Sequence, residues 1–259
     1  MSMNPVPIAY GDYPHDIYNL HQENSVEDWQ IKKYIIPKRK ELQFYNQANG
    51  MCRCVFTTPY KSVQLKHLAD NIWMSDTPFE FETNQKAIKL ARGDVLECGL
   101  GIGLFTYYAS KKNLVRSITI VEKEKPVIDL VYDKIANNKT KIINNDAISF
   151  LKSTDQKFNM IHVDIWADII PYKEMKAVID LARQKLRPKG TVVCWLDEFL
   201  EVVLKEIKKG ARNSTMMGIM EPCITCGKTF RYDFGGFCMD CADGLGLSEI
   251  FLRAKVKRK

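Results

Sequence analysis

Two sets of residues in this chain have the types and spacing to do chemistry. The first is a pair of C-x-x-C knuckles, Cys223-Ile224-Thr225-Cys226 and Cys238-Met239-Asp240-Cys241, with residues 227–237 between them. Two such knuckles can converge on one tetrahedral Zn2+ through four thiolates, leaving no open coordination position. The expected metal at Cys223, Cys226, Cys238 and Cys241 is therefore structural Zn2+, and its binding would supply that segment's folding energy. The second set is a glycine loop, Glu97-Cys98-Gly99-Leu100-Gly101-Ile102-Gly103, followed at intervals by Glu122, Asp146 and Asp164.

Gly99, Gly101 and Gly103 let the backbone turn sharply and approach a ligand closely. Their spacing does not suit a dinucleotide, which wants G-x-G-x-x-G/A: the sixth position is Leu104 from Gly99 and Thr106 from Gly101. The Glu97 carboxylate would also repel a pyrophosphate, whereas it would attract an ammonium or a sulfonium. Glu122 can accept two hydrogen bonds from a ribose diol. Asp146, followed by Ala147, can accept from an exocyclic amine.

Each acid needs an element to carry it, and the pattern between residues 93 and 209 supplies one. Strand-like runs at 94–99, 117–122, 141–144, 158–164 and 191–196 alternate with helix-like runs at 104–111, from Pro126, at 147–152, 171–186 and 197–208. Such alternation means βαβ units and a parallel sheet. The strands are near-continuous apolar runs, as expected for a sheet covered on both faces. Each acid falls at the carboxyl end of its own strand, where an open α/β sheet binds its ligand. Arg187-Pro188-Lys189-Gly190 reads as the stop after the 171–186 helix. His162, two residues before Asp164, reads as a core histidine, Trp166 as a pocket wall, and Tyr107 and Tyr108 as packing residues. Cys98 and Cys194 read as inert core thiols, and Cys52 and Cys54 as facing one side of a strand.

Residues 1–92 form a first region. Val26–Tyr34 reads as a short helix capped by Ser25. Runs at 52–57 and 62–67 flank Thr58-Pro59-Tyr60-Lys61, which reads as a hairpin turn; 73–81 reads as irregular and 83–90 as helical. Residues 210–259 hold the four-cysteine segment, a strand-like run at 247–256 and a basic end.

Composition sets the outer limits. The chain has 259 residues, 46% apolar and 27% charged, which excludes a disordered or low-complexity protein. No apolar run approaches the roughly eighteen residues of a membrane span, so no membrane partner is expected. No secretory leader is visible at the start, and a cytoplasmic setting is expected. The formal charge is +7, which permits an anionic partner without demanding one. Four thiolates around Zn2+ would lower it to about +5. Nucleic acid is only weakly indicated, because Asp233, Asp240 and Asp243 oppose the basic tail.

Together, Val95–Gly103, Ile120-Val121-Glu122, Asn145-Asp146-Ala147, Asp164 and Leu186–Thr191 resemble class I S-adenosylmethionine-dependent methyltransferases over roughly residues 90–209. Phe158–Asp164 resembles the spermidine-synthase-like branch, as does the small β-region before the core. The resemblance implies an α/β, Rossmann-like, seven-stranded mostly parallel sheet, with an N-terminal β-hairpin and helix region and a small zinc-ribbon-like insertion. It implies that Glu97, Gly99, Gly101 and Gly103 hold the methionine end of S-adenosyl-L-methionine, Glu122 its ribose, and Asp146 and Ala147 its adenine. Asp164 would line the cofactor site and act catalytically on the nucleophile. No Asp-Pro-Pro-Tyr/Phe motif follows the fourth strand. The expected activity is methyl transfer to an unidentified nucleophile, an amine being favoured, with a small amine, a protein and RNA all open as the acceptor. The alternatives are an aminopropyl or other alkyl transferase, and a non-catalytic scaffold that binds a partner through the cysteine segment.

Overall fold

The computed structural model describes residues 5–46, 50–68, 71–166, 172–195, 220–222 and 229–231. The first of these segments are built on alternation rather than helical spacing. Strand β1 (Val6–Ile8) and a single turn of helix, α1 (Asp16–Leu20), precede β2 (Asn24–Val26) and β3 (Trp29–Ile36). The expected helix at Val26–Tyr34 is thus a strand: Trp29 and Ile31 are buried two positions apart, the period of a pleated chain. Next come β4 (Glu41–Asn46), β5 (Gly50–Phe56), β6 (Tyr60–His67) and β7 (Asn71–Ser75).

The hairpin expected at Thr58-Pro59 is not one either. β5 pairs with β4, and β6 pairs with β3. The two pairings follow one another along the same two arms but are interrupted where Pro37 and Pro59 fall, between Ile36↔Tyr60 and Glu41↔Val55. Proline cannot donate to a ladder, so it sits where the pairing is interrupted. Phe56 N–H still donates to the Lys40 carbonyl at 3.1 Å, within that interruption. The result is two small sheets, β1-β5-β4 and β2-β3-β6-β7.

Helix α2 (Pro78–Leu90) leads into the larger sheet, with Pro78 in its first turn, where the missing N–H costs nothing. Strand β8 (Gly93–Cys98), α3 (Leu104–Ser110), β9 (Val115–Glu122), α4 (Lys125–Ile135), β10 (Thr140–Asn144), α5 (Ala147–Ser153), β11 (Phe158–Val163), α6 (Tyr172–Arg183) and β12 (Leu186–Cys194) follow. The sheet order is β10-β9-β8-β11-β12, and every pairing is parallel. The α/β reading and the placing of these five strands hold. The further two strands of a seven-stranded sheet would fall outside the described residues, as would the helix expected at 197–208. Arg187–Gly190 forms a bulge inside β12, not a plain stop. Pairing with β11 jumps from Leu186 to Thr191, and Lys189 is left at φ 61°. Arg187 uses the bulge to reach Asp94 Oδ2 at 3.0 Å.

One core joins the β2-β3-β6-β7 sheet to the parallel sheet: Trp29, Ile31, Val63 and Leu65 pack in the same cluster as Val95, Phe105, Ile118 and Ile120. Residues 1–167 and 181–195 make one compact unit. The second unit, residues 168–180 and 196–259, includes the antiparallel pair β13 (Met220–Pro222) and β14 (Thr229–Arg231). The four cysteines of the expected zinc site, the spacer between them and the 247–256 run lie outside the described residues. Among the described helices, none is long and apolar enough to cross a membrane.

Candidate functional site

β8 runs outward to β9 and β10 on one side, while β11 and β12 lie on the other, so the chain reverses direction across the sheet between β8 and β11. Ligands of open α/β sheets bind at this switch point. Here Gly99 and Asp164 follow adjacent strands, and Asp164 N–H donates to the Cys98 carbonyl at 2.9 Å. Gly99 has φ 92°, and a Cβ on it would lie 1.9 Å from the Asp164 carbonyl oxygen. Glycine is required there by backbone geometry and by the neighbouring strand together. Gly101 (φ 53°) and Gly103 (φ 77°) are also left-handed; a Cβ on Gly101 would meet Met74 Sδ at 2.0 Å, and Gly103 caps α3.

A cleft of about 340 Å3 opens beside this loop, a size suited to a small ligand. Glu97, Gly99, Gly101, Glu122, Asp146, Ala147 and Asp164, all named from sequence, line it together. Gly103 does not line it but starts the helix behind the loop. The four acids arrive from four strand ends, as the alternation predicts.

Their surroundings differ. Glu97 is 2% exposed and accepts from Thr106 Oγ1, the residue that stands where a dinucleotide loop would carry its third small residue. Burial, with Asp164 and Glu122 nearby, pushes the Glu97 carboxyl well above the ordinary range. Glu122 accepts from Leu100 N–H and from Glu124 N–H, both at 2.8 Å, tying the glycine loop to the end of β9. Each of its oxygens keeps a second lone pair for a hydroxyl donor. Burial raises it despite these bonds. Asp146 caps α5 by accepting from Ser149 N–H at 2.8 Å, and that bond holds its carboxyl below the usual range. Burial alone pushes Asp164 up to about 7.

Cys98 and Cys194 are buried, and burial raises the Cys98 thiol, so the expectation of core thiols holds for their placement. His162 is 2% exposed, and its ring lies against Phe105, tilted by 35° with centroids 4.3 Å apart, as a core histidine should be. It also lines the cleft, and burial pushes it down to about 3, so it stays neutral. Trp166 is a cleft wall, as expected. Tyr107 and Tyr108 both donate to Asp16, at 3.0 and 3.1 Å, which anchors α1 to α3.

Sequence reasoning missed the wall supplied by the β-rich region. Trp29, Leu65, Trp73 and Met74 line the cleft, and Ile102 N–H donates to Met74 Sδ at 3.4 Å. It also missed Glu80 in the first turn of α2, where burial and Asp164 raise the carboxyl to about 8. The signal available was Thr77-Pro78, a helix start that turns the supposedly irregular stretch into α2. Nothing in the pattern says that Glu80 faces the cleft.

The family model described as the spermine/spermidine synthase domain matches residues 85–240, more than half of the chain. The chain belongs to the spermine/spermidine synthase domain family. That match spans β8 to β12 with their glycine loop and strand-end acids, and it leaves the β-rich region before α2 outside. Among solved structures, the N-methyltransferase NodS from Bradyrhizobium japonicum WM9 is similar at 22% identity, over 46% of this chain and 68% of its own, with a TM-score of 0.39. DhpI in its SAH complex is similar at 18% identity, over 57% of this chain and 64% of its own, with a TM-score of 0.37. A dimethyladenosine transferase from Plasmodium falciparum is similar at 24% identity, over 49% of this chain and 45% of its own, with a TM-score of 0.37. The chain thus spans about two thirds or less of these proteins. No match was found among curated proteins.

Proposed function

We propose that the chain is an S-adenosylmethionine-dependent methyltransferase whose acceptor is an amine. One observation carries the reading. A chain of formal charge +7 gathers six carboxylates and a single lysine, Lys123, among the described residues lining one cleft at the switch point of its sheet. A cleft of that sign suits cationic ligands and repels phosphate. S-adenosylmethionine fits this donor set, and when bound it supplies a methyl group on a sulfonium sulfur.

The chain's residues then have separable tasks. Glu97, Gly99 and Gly101 hold the methionine end, with Gly103 starting α3 behind them: the two lining glycines admit it close to the backbone and Glu97 offers an acceptor to its ammonium. Glu122 accepts from the ribose hydroxyls, and Asp146 with Ala147 holds the adenine. Asp164 orients the acceptor amine and keeps its lone pair free, while Trp166 and Trp195 exclude water. Alignment of nucleophile and electrophile supplies most of the rate in such a reaction. Calorimetric titration tests the reading: S-adenosylmethionine should bind, and Asp164→Asn should lower turnover without abolishing that binding. No binding would favour the non-catalytic scaffold.

Aminopropyl transfer is the second reading. Family membership favours it, and so does the scarcity of cations in the lining, which gives a cofactor carboxylate little to pair with. Tighter binding of decarboxylated S-adenosylmethionine than of S-adenosylmethionine would establish it.

The zinc assignment to Cys223, Cys226, Cys238 and Cys241 rests on their spacing. Its support from the structure is that β13 and β14, paired through Pro222 and Thr229, are the strands on either side of residues 223–228. A cytoplasmic protein with a small-molecule acceptor fits these features better than one acting on RNA or on a protein surface.

A further inference from the structure

The glycine loop falls within the matched residues 85–240, but two of the side chains that hold it come from before residue 85. His21 ends α1 and is 1% exposed. Its Nε2 lies 2.9 Å from the Ile102 carbonyl oxygen. A carbonyl can only accept, so Nε2 carries the proton and donates. Burial lowers the His21 pKa, which keeps the ring neutral near pH 7. The N–H of the same residue, Ile102, donates to Met74 Sδ at 3.4 Å. Ile102 is fully buried, so water is no substitute for either partner. Nor is α3: its first backbone bond runs from Tyr107 N–H to the Gly103 carbonyl, one residue further on.

The start of the loop is held differently, from the parallel sheet. Gly99 N–H donates to the Val121 carbonyl at 2.9 Å, and Leu100 N–H to Glu122 at 2.8 Å. Gly101, which lines the cleft in a left-handed turn, therefore stands between one residue fixed by β9 and one fixed by the β-rich region. The segment that carries His21 is fastened at the other end of α3 as well. Asp16 accepts from Tyr107 and Tyr108, with Lys111 Nζ 3.8 Å away, and Ile17 packs in the core.

We propose that His21 and Met74 are positioning residues for the glycine loop, clamping Ile102 by its carbonyl and its N–H so that Gly101 keeps the turn that faces the cleft. The identity of the admitted ligand as S-adenosylmethionine rests on the function proposed above; the clamp itself does not. Apolar packing alone would seat residues 16–21 without a donor at position 21. The donor matters because it fixes one backbone atom of the loop. Without either grip a buried polar group is left unpaired, and the loop relieves it by turning away from the shape that receives a ligand. His21 does not line the cleft, so it acts only through Ile102.

The test uses the full chain and two readouts. Hydrogen exchange of the Ile102 amide in the ligand-free protein reads the clamp, and calorimetric titration with S-adenosylmethionine reads its consequence. His21→Leu fills the space without a donor and should speed exchange and weaken binding, each by about tenfold, the effect of one unpaired buried carbonyl. His21→Gln keeps an N–H donor and should recover most of both. Met74→Leu keeps the volume without the sulfur and should shift both readouts in the same direction as His21→Leu. Asp16→Ala cuts the fastening to α3 but not the clamp, so it should lower the thermal unfolding midpoint and leave both readouts near wild type. A folded His21→Leu protein with wild-type exchange and affinity would overturn the proposal. So would a His21→Gln protein as impaired as His21→Leu, or an Asp16→Ala protein impaired equally, because packing would then explain the effect. If His21→Leu does not fold, slow exchange in His21→Gln with fast exchange in Met74→Leu supports the clamp, and the reverse overturns it. Failure of S-adenosylmethionine to bind the wild type, with Ile102 exchange still dependent on His21, would instead remove the methyltransferase reading and leave the clamp standing.

Discussion

Alanine substitutions at Gly99 and Gly101 should differ in cost because the two glycines are crowded by different things. Both have left-handed backbone, where a Cβ costs about 1–2 kcal/mol. At Gly99 the added carbon would stand 1.9 Å from the Asp164 carbonyl oxygen, and a backbone atom cannot swing aside. Relief requires β8 and β11 to part where Asp164 N–H meets the Cys98 carbonyl, leaving buried polar groups unpaired at about 1–3 kcal/mol. Gly99→Ala should therefore cost about 2–5 kcal/mol, a large share of the usual 5–15 kcal/mol of domain stability. At Gly101 the obstacle is the Met74 thioether, which can rotate away, so Gly101→Ala should cost about 2 kcal/mol, mostly backbone. Denaturant midpoints with unchanged slopes would measure both. A Met74→Ala background should make Gly101→Ala cheaper and leave Gly99→Ala unaffected, a coupling that a double-mutant cycle reads directly. Equal costs for the two glycines, or no coupling between Met74 and Gly101, would refute the reasoning.

Asp164 and Glu80 are both raised by burial, to about 7 and about 8, so folding favours their protonated forms. Their contribution is present in full below the unfolded carboxyl values and fades as pH rises through 7 to 8. The unfolding midpoint of the ligand-free protein should accordingly fall between pH 6 and 9, with Asp164→Asn and Glu80→Gln each flattening the fall; a midpoint that rises over that range would contradict both. Asp146→Ala removes the cap on Ser149 N–H and should cost about 1 kcal/mol in thermal unfolding, with a separate loss of cofactor affinity if Asp146 holds the adenine. Metal analysis of the purified chain should find one zinc per molecule, and Cys223→Ser with Cys226→Ser should remove it; a metal-free wild type would refute the four-thiolate site.

Much of the larger sheet is legible in the chain itself. Its strands are near-continuous apolar runs, and Pro126 marks a helix start where the structure uses one. The β-rich region is not legible in the same way. Trp29-Gln30-Ile31-Lys32-Lys33-Tyr34 has apolar residues two apart (Trp29, Ile31) and three apart (Ile31, Tyr34), spacings that suit a strand and a helix respectively, and only the partner strand β6 selects the first. The pairing of β3 with β6 and of β4 with β5 depends on where two prolines, distant in sequence, fall opposite one another. Local turn chemistry at Thr58-Pro59 points to a hairpin that the ladder does not make.

The sequence by itself determined the acids and where they would stand, because a βαβ chain places each strand's carboxyl end at the same edge of the sheet. Glu97, Glu122, Asp146 and Asp164 meet at one cleft for that reason alone. Tertiary structure decided what these acids are. It drew Asp164 partly out of solvent, which raises its carboxyl, and spent an Asp146 oxygen on a helix cap, which lowers Asp146. It also brought Glu80 and Met74 across from elements that carry no motif. Burial and electrostatic coupling depend on atoms from distant parts of the chain, and no spacing rule records which of those will arrive.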